Sequence, residues 1–174
     1  PPILDGHNTS VHAATATGKT EAVVAPVLER ALAAREETGA WGVVLYIVPT
    51  RALCNDLVRR LEGPIHDLGL DMRVRTGDRR EVRSDEALPD ILVTTPETFD
   101  SLLARNPAAF PRVGTVVLDE LHLMDGTPRG DQLRVLLERL RRILGDDAPA
   151  MHAMSATLRQ PQEVSSDYIH DVLP

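Results

Sequence analysis

The chain has 174 residues, of which 43% are hydrophobic and 26% charged, and its formal net charge is −7. This length and composition suit one globular domain with a single core, which must be aliphatic because only 3% of the residues are aromatic. No apolar run approaches the ~20 residues that a membrane-spanning helix needs, and the negative charge excludes nucleic-acid binding through bulk electrostatics.

Two small features concern the compartment and the extent of the chain. Cys54 is the single cysteine, so the chain can form no internal disulfide, and a reducing, cytoplasmic compartment is expected. The chain begins with Pro1-Pro2 and has no initiator methionine. We therefore expect residues 1–174 to be part of a longer protein.

Short β-branched runs alternate with amphipathic segments of helical length. In chain order the predicted elements are a strand at Thr9–Ala13, a helix at Lys19–Arg35, a strand at Val43–Val48, a helix at Arg51–Leu61, strands at Met72–Arg75 and Ile91–Thr94, a helix at Pro96–Ala104, a strand at Thr115–Leu118, a helix at Gly130–Leu144 and a strand at Ala150–Met154. Several strands are apolar throughout, which is typical of a parallel sheet covered on both faces. The charged stretch Thr76–Pro89 is predicted to be a surface loop. The pattern predicts a three-layer α/β domain with a mainly parallel central sheet.

The helix at Gly130–Leu144 has the clearest periodicity. The leucines and the isoleucine follow the i, i+3, i+4, i+7 rule of a helix with one buried face. They are Leu133, Leu136, Leu137, Leu140, Ile143 and Leu144. The charged residues between them, among them Arg134 and Arg141, are predicted to face mostly outward.

A candidate phosphate loop, Ala13–Thr20, lies between the first strand and the first helix. Such a loop curls backbone N–H groups around phosphate oxygens, while a lysine reaches the β- and γ-phosphates and a hydroxyl binds Mg²⁺. Gly18, Lys19 and Thr20 supply the last three residues of the motif. Ala13 stands where the first glycine is usual, so the segment does not match the strict phosphate-loop pattern GxxxxGK(S/T). A chance Gly-Lys-Thr at a helix start remains the alternative for this segment alone. The residues expected to contact ATP are Thr15, Ala16, Thr17, Gly18, Lys19 and Thr20.

A pair of carboxylates follows the apolar strand Thr115–Leu118. Parallel strands end at one edge of a sheet, so Asp119 and Glu120 are expected beside the phosphate loop. Asp119, together with Thr20, would then hold Mg²⁺, and Glu120 would orient and deprotonate the attacking water. The predicted catalytic residues are therefore Glu120, Lys19 and Asp119. In isolation, the same pattern also fits a solvated acidic turn.

Six short segments, in this order, resemble the motifs of the first RecA-like domain of superfamily-two helicases of the DExH kind. They are Ala13–Thr20, Val48–Leu53, Thr76–Asp78, Thr94–Glu97, Asp119–His122 and Ser155–Thr157. The resemblance covers nearly the whole chain and implies a RecA-like P-loop fold, ATP and Mg²⁺ as cofactors, and a helicase or translocase activity on nucleic acid. Within this family, Asp119–Leu140 resembles the Lhr-like branch. One departure is Ala16, because the family usually has glycine there and alanine is penalised where φ is positive.

The resemblance also implies roles for residues outside the phosphate loop. A groove for the backbone of single-stranded nucleic acid, with DNA slightly favoured over RNA, would be lined by Thr50, Arg51, Gly77, Thr95 and Pro96. Pro-Thr and Thr-Pro pairs also simply start helices, so both interpretations can hold. Coupling between nucleotide and nucleic acid would involve His122, Ser155 and Thr157, with the hydroxyls of Ser155 and Thr157 hydrogen-bonding toward Asp119 and His122.

Finally, the family resemblance predicts a strand order and a partner. The strand Ala150–Met154 should lie between the strand that precedes the phosphate loop and the strand that ends in Asp119. A second RecA-like lobe of the parent protein, which residues 1–174 would lack, should supply an arginine that completes the hydrolysis site, so this part alone should be nearly inactive.

A P-loop phosphotransferase and a catalytically silent scaffold remain alternatives. The Ser-Ala-Thr segment argues against the first, and retention of Lys19, Thr20, Asp119 and Glu120 argues against the second.

Overall fold

A computed structural model describes residues 2–13, 18–39, 42–79, 81–83, 85–156 and 167–169. In this part of the chain, six strands form one sheet in the order β1-β6-β5-β2-β4-β3. They are β1 (Thr9–His12), β2 (Val43–Ile47), β3 (Met72–Arg75), β4 (Ile91–Thr94), β5 (Val113–Leu118) and β6 (Ala150–Ser155). Every neighbouring pair is parallel. The predicted position of the Ala150 strand, between β1 and β5, is confirmed.

Helices cover both faces of the sheet. They are α1 (Lys19–Thr38), α2 (Arg51–Asp67), α3 (Pro96–Arg105) and α4 (Pro128–Leu144), with 3-10 helices at Pro107–Arg112 and Leu121–Leu123. Alternate residues of the central strands point to opposite faces, so Tyr46 packs with α1 and α2, while Leu45 packs with α3 and α4. The three-layer α/β architecture with a parallel sheet is therefore confirmed. No helix in the described ranges is long and apolar enough to cross a membrane.

The two cores are aliphatic, as the composition predicts. On α4, the predicted apolar stripe is buried, apart from Ile143, which is only partly buried. Each fully buried leucine contributes about 1.5–3 kcal/mol of transfer free energy. Cys54 on α2 is fully buried among the α1 and α2 side chains, and burial raises the pKa of its thiol to about 12.

Helix α2 is longer than predicted. The predicted helix ends at Leu61, but the observed helix continues through Pro64 to Asp67. Proline removes one backbone donor without forbidding a helix, and burial of Ile65 (1% exposed) anchors this last turn against the sheet. Tertiary packing therefore overrides the local signal.

The stretch Thr76–Pro89 is anchored more firmly than a surface loop. Val82 is fully buried, and Leu88 is 7% exposed in the core beneath α3. The buried Arg75 guanidinium donates to the Val82 carbonyl. Two buried apolar side chains within a highly charged sequence could not be recognised from periodicity, because the segment has none.

The arginines of α4 do not all face solvent. Arg141 donates to the Tyr168 carbonyl at 2.7 Å, and the Arg134 guanidinium lies 4.8 Å from the centre of the Tyr168 ring. Tyr168 is itself 1% exposed, and its hydroxyl donates to Asp125 at 3.1 Å. The outward orientation predicted for Arg134 and Arg141 is thus wrong, because the 167–169 segment packs over this side of the helix.

Candidate functional site

Two groups of loops lie along the carboxyl edge of the sheet, because all strands run in the same direction. The strand order separates them: β1, β6 and β5 occupy one half of the sheet, and β2, β4 and β3 the other. The first loop group consists of Gly18–Thr20, Asp119–Glu120 and Ser155–Ala156. The second loop group consists of Thr50–Arg51, Thr76–Gly77 and Thr95–Pro96. The predicted nucleotide and nucleic-acid residues therefore fall on adjoining halves of one edge.

Helix α1 begins at the first loop group. Gly18 has a φ of 78°, a left-handed conformation that a side chain would strain. The first helical hydrogen bond accepted there runs from Ala22 N–H to the Gly18 carbonyl, so the preceding N–H groups of the first turn have no helical acceptor. This geometry favours an anion at the helix start. Three predicted contact residues, Thr15, Ala16 and Thr17, lie outside the described residues.

Lys19 is 7% exposed, and its ammonium faces a carboxylate. Its Nζ atom lies 3.8 Å from Oε2 of Glu120. Both atoms are buried and lack a hydrogen-bond partner within the described ranges. A buried ammonium is costly unless anionic oxygens bind it, so the donor set at this position fits a phosphate group.

Asp119 is held by two hydrogen bonds. Its Oδ1 atom accepts the Glu120 N–H at 2.8 Å, and its Oδ2 atom accepts the Tyr46 hydroxyl at 2.9 Å. Burial raises the pKa of Asp119, although the Tyr46 hydrogen bond opposes that shift. Burial and the neighbouring Asp119 also raise the pKa of Tyr46 well above its usual range, which keeps its hydroxyl a donor.

Glu120 has an unusual backbone. Its φ of 47° is the one left-handed value of a non-glycine residue in the described part of the chain. Such a conformation costs about 1–3 kcal/mol and is found mainly at functional sites. Here it turns the side chain toward Lys19, 3.8 Å away, and toward His122 Nδ1, 3.3 Å away. The strain thus brings together the carboxylate and the lysine that the sequence predicts to be catalytic.

The predicted coupling residues meet in a different way from the one expected. His122 Nδ1 accepts the backbone N–H of Ala156 at 3.3 Å. The Ser155 hydroxyl is buried and has no hydrogen-bond partner among the residues described, so the predicted bond from this hydroxyl to Asp119 or His122 is wrong. Thr157 lies outside the described residues. The link between β6 and His122 therefore runs through backbone, which a side-chain motif does not reveal.

In the second loop group, Arg51 and Gly77 lie close together. A methyl group on Gly77 would be 3.3 Å from the Arg51 guanidinium, and Arg51 Nε lies 3.8 Å from Oδ1 of Asp78. Thr50 caps α2 by accepting the Leu53 N–H at 3.3 Å. Thr50, Arg51 and Gly77 are all exposed and so accessible to a ligand.

Thr95 and Pro96 differ from the rest of the second loop group because both are buried. Thr95 is 4% exposed and Pro96 occupies the first turn of α3. Their side chains thus offer little contact surface. A backbone-binding role for this loop must come from the N–H groups at the start of α3.

Sequence reasoning missed two residues of the first loop group. Tyr46 is hidden in an apolar strand, where its ring fits the buried pattern and its hydroxyl gives no periodic signal. Arg60 on α2 donates from Nη2 to the Thr20 hydroxyl at 3.2 Å and lies 3.4 Å from Glu21. Both contacts join elements that are distant in sequence, so only the folded chain reveals them.

The chain is similar to one known protein family and to several named proteins. The profile of the DEAD/DEAH box helicase family matches residues 1–164. A protein of Mycolicibacterium smegmatis named Lhr helicase/probable uracil glycosylase is 36% identical over 182 residues, covering 94% of this chain and 12% of that protein. The ATP-dependent DNA helicase Hel308 of Pyrococcus horikoshii is 31% identical, covering 94% of this chain and 21% of that protein. The chain therefore spans about a fifth of the length of one of these relatives and about an eighth of the other.

Solved structures show the same fold. The structure of the Mycobacterium smegmatis helicase Lhr bound to ssDNA and AMP-PNP has a TM-score of 0.79 and 33% identity, covering 95% of this chain and 23% of that chain. The DUF1998 helicase MrfA has a TM-score of 0.78 at 24% identity over 98% of this chain and 28% of that chain, which supports the fold alone. The expected RecA-like architecture is confirmed, and Lhr proteins are among the relatives, as the sequence predicts.

Proposed function

Since this chain belongs to the DEAD/DEAH box helicase family, we propose that it is the ATP-binding motor lobe of a protein that uses ATP hydrolysis to move along single-stranded nucleic acid. The observation that carries this proposal is the buried pair of Lys19 Nζ and Glu120 Oε2, 3.8 Å apart and without hydrogen-bond partners in the described residues. It lies at the start of α1 and beside Asp119, where a nucleotide phosphate would satisfy the lysine.

Each residue of the first loop group has a distinct proposed task. Lys19 and the N–H groups at the start of α1 would bind phosphate oxygens. The Thr20 hydroxyl and the Asp119 carboxylate would hold Mg²⁺, whose charge offsets the negative charge developing on the phosphoryl oxygens. Glu120 would orient the attacking water and accept its proton.

The second loop group supports binding to a nucleic-acid backbone. Thr50, Arg51 and Gly77 are exposed beyond the ends of β2 and β3, the two strands that flank β4. A hydroxyl, a guanidinium and an open glycine backbone are groups that contact phosphates without reading bases. Arg51 lies close to Asp78, so its charge is partly offset and the expected affinity is modest. We propose DNA as the preferred ligand, since a relative of known structure is described as bound to ssDNA.

We further propose that hydrolysis needs a second RecA-like lobe of the parent protein. Arginines that complete such sites contribute about 10³–10⁵ in rate in related NTPases. Arg139 and Arg142 lie on the solvent side of α4, paired with Asp100 and Glu138. Arg141 donates to Tyr168. None of these three is directed at Lys19.

The buried free thiol of Cys54 is consistent with the proposed intracellular location.

The test is ATP hydrolysis, measured as phosphate release, by the intact parent protein with no nucleic acid, with single-stranded DNA or with single-stranded RNA. Stimulation by either polymer, together with Mg²⁺-dependent ATP binding by the 174-residue chain, is the expected result. Stimulation by DNA above that by RNA would support the proposed preference. ATP binding without any stimulation would contradict the motor function, and absence of ATP binding would contradict the site itself.

A further inference from the structure

Tyr46 is the one polar side chain on the buried β2 strand. It is 2% exposed and lies among Val44, Val93 and Val117 on the α1 and α2 side of the sheet. A hydroxyl in such surroundings is unfavourable unless it has a partner. Here the partner is Asp119 on the adjacent strand end, at 2.9 Å.

The Thr20 side chain lies near the Tyr46 hydroxyl, where it opposes the rise in the pKa of Tyr46. Thr20 accepts in turn from Arg60 Nη2 at 3.2 Å. A series of polar contacts therefore runs from Arg60 on α2, through Thr20 at the start of α1 and Tyr46 on β2, to Asp119 after β5. It joins three consecutive elements, α1, β2 and α2, to a residue that lies far along the chain.

This series of contacts includes the Thr20 hydroxyl and the Asp119 carboxylate, the two groups that the proposed function assigns to Mg²⁺ binding. The Asp119 carboxylate cannot rotate freely, because Glu120 N–H holds Oδ1 and the Tyr46 hydroxyl holds Oδ2. Each carboxylate oxygen has a second lone pair, so these bonds still leave acceptor capacity for a metal ion or its water. Phenylalanine at position 46 would preserve the packing and leave Oδ2 buried without this donor.

Resting on the proposed nucleotide function, we propose that Tyr46 is a positioning residue that fixes the Asp119 carboxylate and the Thr20 hydroxyl in the arrangement that binds Mg²⁺ with the nucleotide. Tyr46 acts only through these two residues. Partners that orient metal-binding side chains commonly change metal affinity by about 10- to 100-fold when they are removed.

The test compares Tyr46→Phe with Tyr168→Phe in the 174-residue chain. Tyr168 is a matched control because it is equally buried and its hydroxyl also donates to an aspartate, Asp125, at 3.1 Å. ADP binding is measured by calorimetry in EDTA and then at increasing Mg²⁺ concentration. We expect Tyr46→Phe to bind ADP in EDTA with the wild-type affinity. The Mg²⁺ concentration that gives half of the Mg²⁺-dependent gain in ADP affinity, called the Mg²⁺ midpoint, should rise about tenfold or more. Tyr168→Phe should keep the wild-type midpoint.

The outcomes separate this proposal from the function on which it rests. If the Mg²⁺ midpoint of Tyr46→Phe equals that of the wild type, and both proteins bind ADP in a Mg²⁺-dependent way, the role of Tyr46 is overturned but the nucleotide function is not. Equal shifts in Tyr46→Phe and Tyr168→Phe also overturn it, since they would reflect general loosening of the fold. No Mg²⁺-dependent ADP binding in the wild type overturns both proposals.

A second measurement keeps the proposal testable if Tyr46→Phe does not fold. The chain has two tyrosines, so 3-fluorotyrosine incorporated into Tyr168→Phe reports on Tyr46 alone by ¹⁹F NMR. The Tyr46 resonance should move when Mg²⁺ is added to the ADP complex and move far less when ADP is added in EDTA. A resonance that ignores Mg²⁺ at saturating ADP overturns the proposal.

Discussion

The Lys19 ammonium lies 3.8 Å from the Glu120 carboxylate, and both atoms are buried without a hydrogen-bond partner among the described residues. The distance is too long for a hydrogen bond, so the pair leaves the ammonium available to a stronger ligand. A nucleotide phosphate would insert on the Lys19 side, while Glu120 would remain at the position where water attacks. This arrangement supports different expected effects for substitutions at the two residues.

Replacing Lys19 with alanine should abolish detectable Mg-ATP binding in calorimetry, because the substitution removes the buried cation proposed to bind the phosphates. The fold should persist, because the Glu120 carboxylate that loses its cationic neighbour belongs to a side chain that is 19% exposed and can turn toward water. Circular dichroism during thermal unfolding checks this point. Lys19 is also the only lysine in the chain, so ¹⁵N-lysine labelling gives one side-chain ammonium signal, which ATP should shift in the wild type. Unchanged affinity in Lys19→Ala would refute the assignment.

Replacing Glu120 with glutamine should preserve ATP binding and abolish most nucleic-acid-stimulated hydrolysis in the parent protein. Glutamine has the same shape but cannot accept the proton of water, and a general base contributes about 10²–10⁴ in rate. Phosphate release and ATP affinity are measured on the same preparation. Glu138→Gln, which alters a carboxylate on the exposed side of α4, is the control. Equal loss of binding and hydrolysis in Glu120→Gln would point to a binding role instead.

Much of this site was predictable because motif residues follow strands, and parallel strands end together. The positions of Lys19, Asp119 and Ser155 along one edge required only the strand pattern and the family's strand order. The left-handed backbone of Glu120 and the hydrogen bond of Tyr46 were not predictable, since they depend on contacts between β2 and β5 that have no sequence periodicity. The same limit applies to the core residue Val82, which stands alone among charged neighbours.

Replacing Arg51 with alanine should weaken binding of single-stranded DNA by the parent protein to a similar degree for all base sequences. Arg51 is exposed beside Gly77 and is proposed to contact a phosphate, so its loss should reduce the salt slope by about one. Fluorescence anisotropy at several salt concentrations measures both quantities. Arg142→Ala, an exposed arginine on α4 that pairs with Glu138, should have no effect. Loss of binding to one base sequence only would contradict backbone recognition.

Replacing Gly130 with alanine should lower the free energy of unfolding by about 1–3 kcal/mol, the usual cost of overpacking. A Cβ atom there would lie 2.5 Å from both the Met124 carbonyl oxygen and the Tyr168 hydroxyl. The backbone carbonyl cannot move aside easily, so α4 or the 167–169 segment must shift. Urea unfolding measures the change. Gly63→Ala, within α2 and with nothing inside 4 Å of the new Cβ, is the control and should not lower stability. If Gly130→Ala leaves the free energy of unfolding unchanged, the segment around Tyr168 must pack differently.

The stability of the domain should depend on pH through His152. This side chain is fully buried on β6 and its Nδ1 atom lies 2.9 Å from the Thr9 hydroxyl. Burial, and then the charge of Arg30, lower its pKa from 6.5 to about 4. The unfolded chain therefore binds a proton at a higher pH than the folded chain does. The stability contributed by neutral His152 is fully present above pH 6.5 and is lost as the pH falls from 6.5 to about 4.

The size of this loss follows from the shift in the pKa of His152 and is about 3 kcal/mol. Urea unfolding measures the contribution of His152 when the wild type and His152→Asn are compared at several pH values. These values should lie between 7 and 4, roughly the range over which the pKa of His152 is shifted. Asparagine keeps a polar atom near Thr9 and cannot titrate, so the variant should be less stable at pH 7 but lose less on acidification. His66→Gln removes an exposed histidine of α2 and should follow the wild-type curve. If His152→Asn loses stability as steeply as the wild type, the acid sensitivity arises from carboxylates whose pKa is lowered in the folded chain, such as Glu86 and Glu97, rather than from the buried imidazole.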